Sequence, residues 1–134
     1  MSSTSAVFEL IVPVQAEDID RQNHVNNTVF VRWVQDVAVA HWRALASSEA
    51  QENIRWVVLR HEIEYKKPAL RNDRVKLRTW VGQATRITFE RFTEIRREAD
   101  DQVLSTARTL WCPVDAQRGR PVRVSAEIRS QFST

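Results

Sequence analysis

The sequence is poor in residues on which several kinds of functional site depend. Its 134 residues include one cysteine and two glycines. A single cysteine excludes an internal disulfide framework, and the place of Cys112 before Pro113 in an apolar segment indicates a buried thiol rather than a nucleophile. The two glycines, Gly82 and Gly119, lie far apart, which argues against the phosphate-binding loops that need several glycines close together.

Long apolar runs and strong charge are also missing. No segment reaches the roughly 18 apolar residues of a membrane span, and residues 1–5 do not resemble a secretory signal, so we expect a cytoplasmic protein. The 20 basic and 17 acidic residues give a net charge of +3, which suits an anionic small ligand as well as nucleic acid. The arginines are spread among acidic residues and no helix-turn-helix or stacking motif is evident, so we do not expect nucleic acid as a partner.

Apolar periodicity predicts one α+β domain over residues 1–134. Apolar residues alternate over 6–15, as in a strand, and recur every three and four positions over 28–46, as in a helix. That helix is apolar on most of its circumference, so we expect a sheet or a second subunit to cover it. The polar connector 47–54 is compatible with a helix or a loop, and a short helix is expected at about 126–132.

Four strands are expected between residue 55 and residue 114. In the first of them, the alternation places Val57, Leu59, His61 and Ile63 on one face. Short turns separate the four strands, which predicts that they form an antiparallel meander. One helix packed on one antiparallel sheet is the architecture of an α+β domain.

The polar stretch between the first strand and the long helix carries the groups best suited to chemistry. Residues 18–27 read Asp-Ile-Asp-Arg-Gln-Asn-His-Val-Asn-Asn. Asn26 or Asn27 is suited to cap the helix, whose first N–H groups lack intrahelical acceptors. A thioester or ester carbonyl placed there would have a carboxylate on one side and N–H donors on the other. The same residue types are also common in plain turns and caps, so composition alone leaves both interpretations open.

Several motifs occur together along the chain. They are Asp18-Ile19-Asp20, His24-Val25-Asn26-Asn27, Phe30 with Trp33, Glu64-Tyr65-Lys66-Lys67-Pro68-Ala69, and Asp73-Arg74-Val75. In this combination and spacing the chain resembles hotdog-fold acyl thioesterases of the 4-hydroxybenzoyl-CoA thioesterase type, and its His-Val-Asn-Asn run also resembles plant acyl-carrier-protein thioesterases. The resemblance implies a curved antiparallel five-stranded sheet wrapped around one long central helix. It also implies a homodimer, or a tetramer built as a dimer of dimers, with active sites at the dimer interface.

The resemblance further implies roles for individual residues. Asp20 aligns with the family's catalytic carboxylate, as nucleophile or general base, and the backbone N–H of Asn27 aligns with the donor that polarises the thioester carbonyl. His24 matches a histidine of the plant enzymes, but many bacterial relatives have an apolar residue there. It therefore either takes part in catalysis or only orients the loop. Gln22 stands where the plant enzymes have an asparagine.

The reaction implied is hydrolysis of an acyl-CoA thioester to free acid and CoA, with no metal and no cofactor. Because CoA carries several phosphates, Arg86 and Lys67 are candidates for binding them. Trp33 is a candidate for lining the acyl pocket, although it is equally suited to the core. Two alternatives remain open: a thioesterase acting on acyl-carrier protein, and a non-hydrolytic acyl-binding or product-release module on the same fold. Hotdog dehydratases and hydratases have other motifs, which this sequence lacks.

Overall fold

The structure is a computed structural model and describes residues 6–133 of the chain. This part of the chain contains five strands and three α-helices. They are β1 (Phe8–Pro13), α1 (Asn27–Leu45), α2 (Ser48–Asn53), β2 (Ile54–Tyr65), β3 (Arg74–Ala84), β4 (Phe89–Arg97), β5 (Val103–Asp115) and α3 (Ala126–Ser133). The predicted first strand, long helix and terminal helix are confirmed apart from small shifts at their ends, and the connector contains a helix. None of the described helices is long and apolar enough to cross a membrane. The expectation about a secretory signal rests on residues 1–5, which lie outside the described range.

The strands form one antiparallel sheet in the order β1-β3-β4-β5-β2. The expected meander is confirmed for β3, β4 and β5, but its extension to β2 is wrong, because β2 pairs with β5 at the far edge and β1 takes the place beside β3. The segment 66–73 runs from β2 back to β3 across two intervening strands, a distance of about 14 Å. A segment of this length spans that gap easily, so a short connection does not require neighbouring strands.

A bulge at Leu59 reverses the side-chain pattern of β2. Between Val58 and Arg60 the strand advances by two residues while its partner β5 advances by one. Such a bulge leaves one residue unpaired and changes which side chains face the core. Val58 and His61 are therefore half-buried on the inner side, whereas Val57 and Leu59 are 44% and 55% exposed. The expectation that Val57 and Leu59 share a face with His61 is wrong for this reason.

One face of α1 fills the concave side of the sheet. Phe30, Val34 and Val37 on this face are at most 2% exposed. Their partners in the same core cluster come from three strands of the sheet: Val75, Leu77, Ile95 and Leu104. Full burial of one such side chain contributes roughly 1.5–3 kcal/mol, so the helix and the sheet stabilise one another. The expected curved sheet around one long helix is confirmed.

A buried polar pair lies between the second half of α1 and β4. His41 is 2% exposed and Arg91 is 9% exposed. The guanidinium Nη1 of Arg91 donates to Nδ1 of His41 over 2.9 Å, and the imidazole stacks on the ring of Phe8 with 4.9 Å between centroids. Burial, together with the positive charge of Arg91, lowers the pKa of His41 from 6.5 to about 4. His41 is therefore neutral at pH 7 and acts as a hydrogen-bond acceptor.

We predict that acidification destabilises the protein through His41. Between pH 6.5 and about 4 the unfolded residue binds a proton and the folded residue does not, so the free energy of unfolding falls as the pH falls through this window. Urea unfolding at several pH values within the window measures the slope. The His41→Gln variant retains an acceptor for Arg91 but does not titrate, and it retains His61, whose pKa is also lowered by burial. An equally steep slope in wild type and variant would contradict the prediction.

Candidate functional site

Asp18 fastens the polar junction to the long helix. Its side chain is 2% exposed. Oδ2 accepts the backbone N–H of Gln15 at 2.9 Å, and Oδ1 accepts a hydrogen bond from Nη2 of Arg32 on α1 at 3.2 Å. Its carbonyl oxygen accepts the N–H of Asn26, at 2.9 Å, immediately before α1. These contacts join Asp18 to the chain before the junction, to the chain after it and to α1, and so hold the junction in place. Buried charges are as a rule paired in this way, and Asp18 has a structural role here.

Asp20 begins a tight loop that closes at His24. Its N–H donates to the carbonyl of His24 at 2.8 Å. Its Oδ1 accepts the N–H groups of Gln22 and His24, at 2.8 and 3.3 Å. Asn23 has a φ of 64°, a left-handed conformation that asparagine tolerates better than most residues. These bonds orient the half-buried carboxylate through Oδ1, while Oδ2 accepts no hydrogen bond from any residue within 6–133.

The start of α1 lies next to this loop. Asn26 is the N-cap, since its Oδ1 accepts both the N–H and the hydroxyl of Thr28 at 2.9 Å. Asn27 is the first helical residue, a position whose N–H has no intrahelical acceptor, and the helix dipole adds positive partial charge there. A β-bridge between Ile19 and Val25 holds the two ends of the preceding loop together, and Val25 stands two residues before the helix begins. A carboxylate and an electropositive helix end are therefore neighbours in the structure.

Tyr65 contacts the same helix start, although no pattern in the sequence assigned it a role. Its hydroxyl donates to the carbonyl of Asn27 at 3.3 Å, and its ring meets the ring of Phe30 edge-on, with 5.5 Å between centroids. Tyr65 ends β2 and is 44% exposed. It belongs to one of the motifs quoted above, but its contact with Asn27 spans 38 residues and becomes visible only in the folded chain.

His24 belongs to the Asp20 loop and Lys67 to a neighbouring segment, whereas Trp33 is buried in the core. The side chain of His24 is exposed, and its backbone forms a bridge with Leu70. Lys67 is also exposed and belongs to the same 66–73 segment, which therefore lies beside the loop. Trp33 is 3% exposed and packs in the main core, with its ring 5.2 Å from that of Phe30.

Arg86 lies at the opposite end of the sheet from Asp20. The junction follows the end of β1, where Pro13 pairs with Arg74 at the start of β3. Arg86 comes just after the end of β3, and a strand of its length, 11 residues, spans roughly 35 Å when extended. Arg86 and Asp20 of one chain are therefore too far apart to contact the same thioester group.

Residues 6–133 contain neither a cluster of metal-binding side chains nor an exposed thiol. No group of three or more His, Cys, Asp or Glu side chains within 6–133 is arranged to hold a metal ion, although Asp18, Asp20 and His24 are close in sequence. Cys112 is 6% exposed, as expected for a structural thiol. A cavity of about 200 Å³ is present, but it lies beside the second half of α1 and is not lined by Asp20 or Asn27.

Comparison with known proteins identifies the family. The model of the thioesterase-like superfamily matches residues 14–132, from the end of β1 to α3. The chain therefore belongs to the thioesterase-like superfamily. The predicted class of enzyme, a hydrolase that acts on thioesters, and the predicted hotdog fold are both confirmed at this level.

Individual relatives are distant but cover almost the whole chain. Long-chain acyl-CoA thioesterase FadM of Escherichia coli (strain K12) is 22% identical over 126 residues, which are 90% of this chain and 93% of that protein. The 1,4-dihydroxy-2-naphthoyl-CoA thioesterase of Synechocystis superposes with a TM-score of 0.81 at 16% identity, covering 95% and 96% of the two chains. A Thermus thermophilus thioesterase, solved with coenzyme A and Zn, gives 0.82 at 21% identity, covering 94% and 97%. These superpositions show a shared fold.

Removal of the Asp18 carboxylate should destabilise the junction. We expect Asp18→Ala to lower the free energy of unfolding by about 1–3 kcal/mol, because the partly buried N–H of Gln15 loses its acceptor and Arg32 loses its buried partner. Asp36→Ala is the matched control, since Asp36 also pairs with Arg32 but is 59% exposed, and exposed pairs contribute about 0–1 kcal/mol. Urea unfolding measures both variants. Equal losses would show that Asp18 does not anchor the junction.

Proposed function

We propose that this chain hydrolyses acyl-CoA thioesters to a free acid and CoA, with Asp20 as the catalytic carboxylate. One observation carries the assignment: Oδ1 of Asp20 is held by two backbone N–H groups, while Oδ2 accepts no hydrogen bond from residues 6–133 and lies in a loop beside the start of α1. An oriented carboxylate with one unbonded oxygen is suited to act as nucleophile or general base. Membership of the thioesterase-like superfamily supports a thioester as the bond that breaks.

Two chemical routes are compatible with this arrangement. In the first, Oδ2 attacks the carbonyl carbon, the C–S bond breaks, CoA leaves as a thiolate, and water then hydrolyses the mixed anhydride and restores the carboxylate. In the second, the oxygen of a water molecule attacks the carbonyl carbon while Oδ2 takes a proton from that water. The C–S bond then breaks, and the proton passes from Oδ2 to the departing thiolate. Both routes give the same acid and the same thiol.

The backbone N–H of Asn27 supplies the oxyanion donor in either route. As the carbonyl carbon becomes tetrahedral, its oxygen gains negative charge, and a donor already in place stabilises that charge without reorganisation. Loss of one such donor typically costs about 2.7–4 kcal/mol of transition-state stabilisation. The positive end of the helix dipole favours the same charge. A backbone donor survives side-chain substitution, so the carboxylate is the better target for a test.

The remaining predicted residues would act around this centre. His24 braces Asp20 through its backbone N–H, which supports a positioning role. Lys67, exposed in the neighbouring segment, would bind a CoA phosphate near the Asp20 loop of its own chain, and Arg86 would do so only in the site of a second copy. The predicted contact of Trp33 with the acyl group stays untested. One hotdog domain over 1–134 and a cytosolic location stay predictions as well.

A homodimer that pairs along β2 would complete the site. β2 is an edge strand of 12 residues, and its exposed side chains include the apolar pair Val57 and Leu59. A long exposed edge is a template for pairing with another strand. Tyr65, at the end of the same strand, contacts the start of α1, so pairing there would bring a second copy next to the Asp20 loop. Two such dimers could then form the tetramer that the family resemblance implies.

Asp20→Asn should reduce kcat at least about a hundredfold with little change in KM, because general-base catalysis contributes 10²–10⁴-fold. The substitution removes the negative charge, yet a carboxamide oxygen can still accept the N–H groups of Gln22 and His24. The assay follows thiol release from a panel of acyl-CoA esters with a thiol reagent. Glu17→Gln is the matched control, since Glu17 is an exposed carboxylate in the same junction.

Each outcome of this assay has a definite meaning. Full activity in Asp20→Asn would remove Asp20 from the mechanism. Release from acyl-carrier protein alone would favour the carrier-protein alternative. If wild-type protein binds acyl-CoA without releasing thiol, the chain is a binding module.

The dimer predicts a change in mass when β2 becomes charged. We expect wild-type protein to elute as a dimer or larger in size-exclusion chromatography with light scattering, and the double variant Val57→Glu, Leu59→Glu to shift towards monomer, because like charges then face each other across the strand pair. Ile87→Glu is the control, since Ile87 is 47% exposed but lies in the turn between β3 and β4. A wild-type monomer would refute the proposed interface.

A further inference from the structure

A cavity of about 200 Å³ lies between the second half of α1 and the sheet, away from the Asp20 loop. α3 covers part of it with Ile128 and Phe132, and its rim includes Val39 and Ala84, which are exposed. The cavity is therefore reachable from solvent. An apolar cavity of about 150 Å³ accommodates benzene, so this one has room for a single aromatic ring or a short alkyl chain.

Aromatic side chains form much of the cavity wall, and two of them carry unused donors. The ring of Trp56 meets those of Trp42 and Phe89 edge-on, at 5.4 and 5.1 Å, and Trp111 lies next to Phe89 in the sheet. The indole N–H groups of Trp56 and Trp111 are buried and have no hydrogen-bond acceptor among residues 6–133. A buried donor without an acceptor is unfavourable. An oxygen-bearing ligand in the cavity would supply one.

Arg91 adds a buried positive charge to the same wall. Its Nη1 donates to Nδ1 of His41 and, over 3.2 Å, to the hydroxyl of Thr79. Both acceptors are neutral, and the Thr79 hydroxyl itself donates to the carbonyl of Phe92. Glu90 and Arg129 also line the cavity, but the carboxylate of Glu90 accepts hydrogen bonds from Arg108 and from the N–H of Gln83. No carboxylate of the described chain pairs with Arg91, and burial lowers its pKa to about 10. By contrast, Arg78, also in the sheet, has carboxylate partners.

We propose that this cavity binds a small monocarboxylic acid, with its carboxylate on the Arg91 guanidinium and its apolar part against the aromatic wall. Burial of a cation without an anion is costly, and a bound carboxylate would remove that cost. The indole N–H groups supply further donors for its oxygens, and the cavity volume limits the apolar part to about one ring. A neutral ligand would pack against the aromatic rings but would leave the charge of Arg91 uncompensated.

Within one chain, this site is separate from the proposed thioesterase centre. Asn27 and Trp42 lie at opposite ends of α1, roughly 22 Å apart along the helix. The core residues Phe30, Val34 and Val37 fill the space on the sheet side between them. The proposal therefore stands whether or not Asp20 hydrolyses thioesters, and the two are tested independently.

Isothermal titration calorimetry with benzoate and with benzyl alcohol tests the charge requirement. We expect wild-type protein to bind one benzoate per chain, at least about tenfold more tightly than benzyl alcohol, because a carboxylate on a guanidinium forms charge-assisted hydrogen bonds. Arg91→Met should lose this preference while its affinity for benzyl alcohol changes little. Absence of benzoate binding at millimolar concentration, or equal affinities for the two ligands in wild-type protein, would overturn the proposal.

A second set of variants locates the ligand and leaves Arg91 intact. Val39→Phe narrows the rim and should abolish benzoate binding. Leu45→Phe adds the same bulk at a similarly exposed position of α1, 37% against 38% exposed, but does not line the cavity, and should bind as wild type does. Asp20→Asn should also bind benzoate normally. If Asp20→Asn abolishes binding, or Val39→Phe leaves it unchanged, the acid binds elsewhere and the proposal is wrong. This set decides the question even if Arg91→Met fails to fold.

Discussion

Burial of α1 in the concave side of the sheet fixes the positions of the polar groups at the two ends of this helix. Val34 and Val37 are completely buried, and a helix packed in this way cannot slide without opening a cavity, which typically costs several kcal/mol. The position of the helix relative to the sheet is therefore fixed. Asn27 is held at one end of the helix, beside the Asp20 loop, and His41 is held roughly 21 Å further along.

The charged groups near the two ends of α1 differ in their access to water. At the start of α1, Asp18 is buried and hydrogen-bonded, whereas Asp20 is half-buried and has one oxygen that accepts no hydrogen bond within the described chain. The proposed hydrolysis needs this oxygen to be accessible, because water must reach it. At the far end Arg91 is withdrawn from water and bonded only to neutral groups. Electrostatic interactions are stronger in such a low-dielectric region, which favours tight binding of an anion and not turnover.

The sequence predicts features that depend on neighbouring residues and misses those that depend on distant ones. The helix, its cap at Asn26 and the Asp20 loop are local, and their positions follow from periodicity and hydrogen-bonding capacity. The pairing of β2 with β5 joins residues that are far apart in the sequence, and the bulge at Leu59 adds one residue that alternation cannot reveal. Arg91 belongs to the alternating sequence of β4, in which nothing local shows that its partners are His41 and Thr79.

Tyr65 links the strand edge to the proposed thioester site, and this link favours a reacting cleft that forms between two copies. The residue ends an exposed edge strand and also donates to the carbonyl of Asn27. A second copy that pairs with the Tyr65 end of β2 would therefore lie near the first turn of α1, where the carbonyl of the substrate would sit. A cleft formed in this way is incomplete in either copy alone. In the proposed dimer the half-buried Asp20, the exposed Lys67 and the distant Arg86 belong to one arrangement, in which each site would draw its phosphate contacts from both chains.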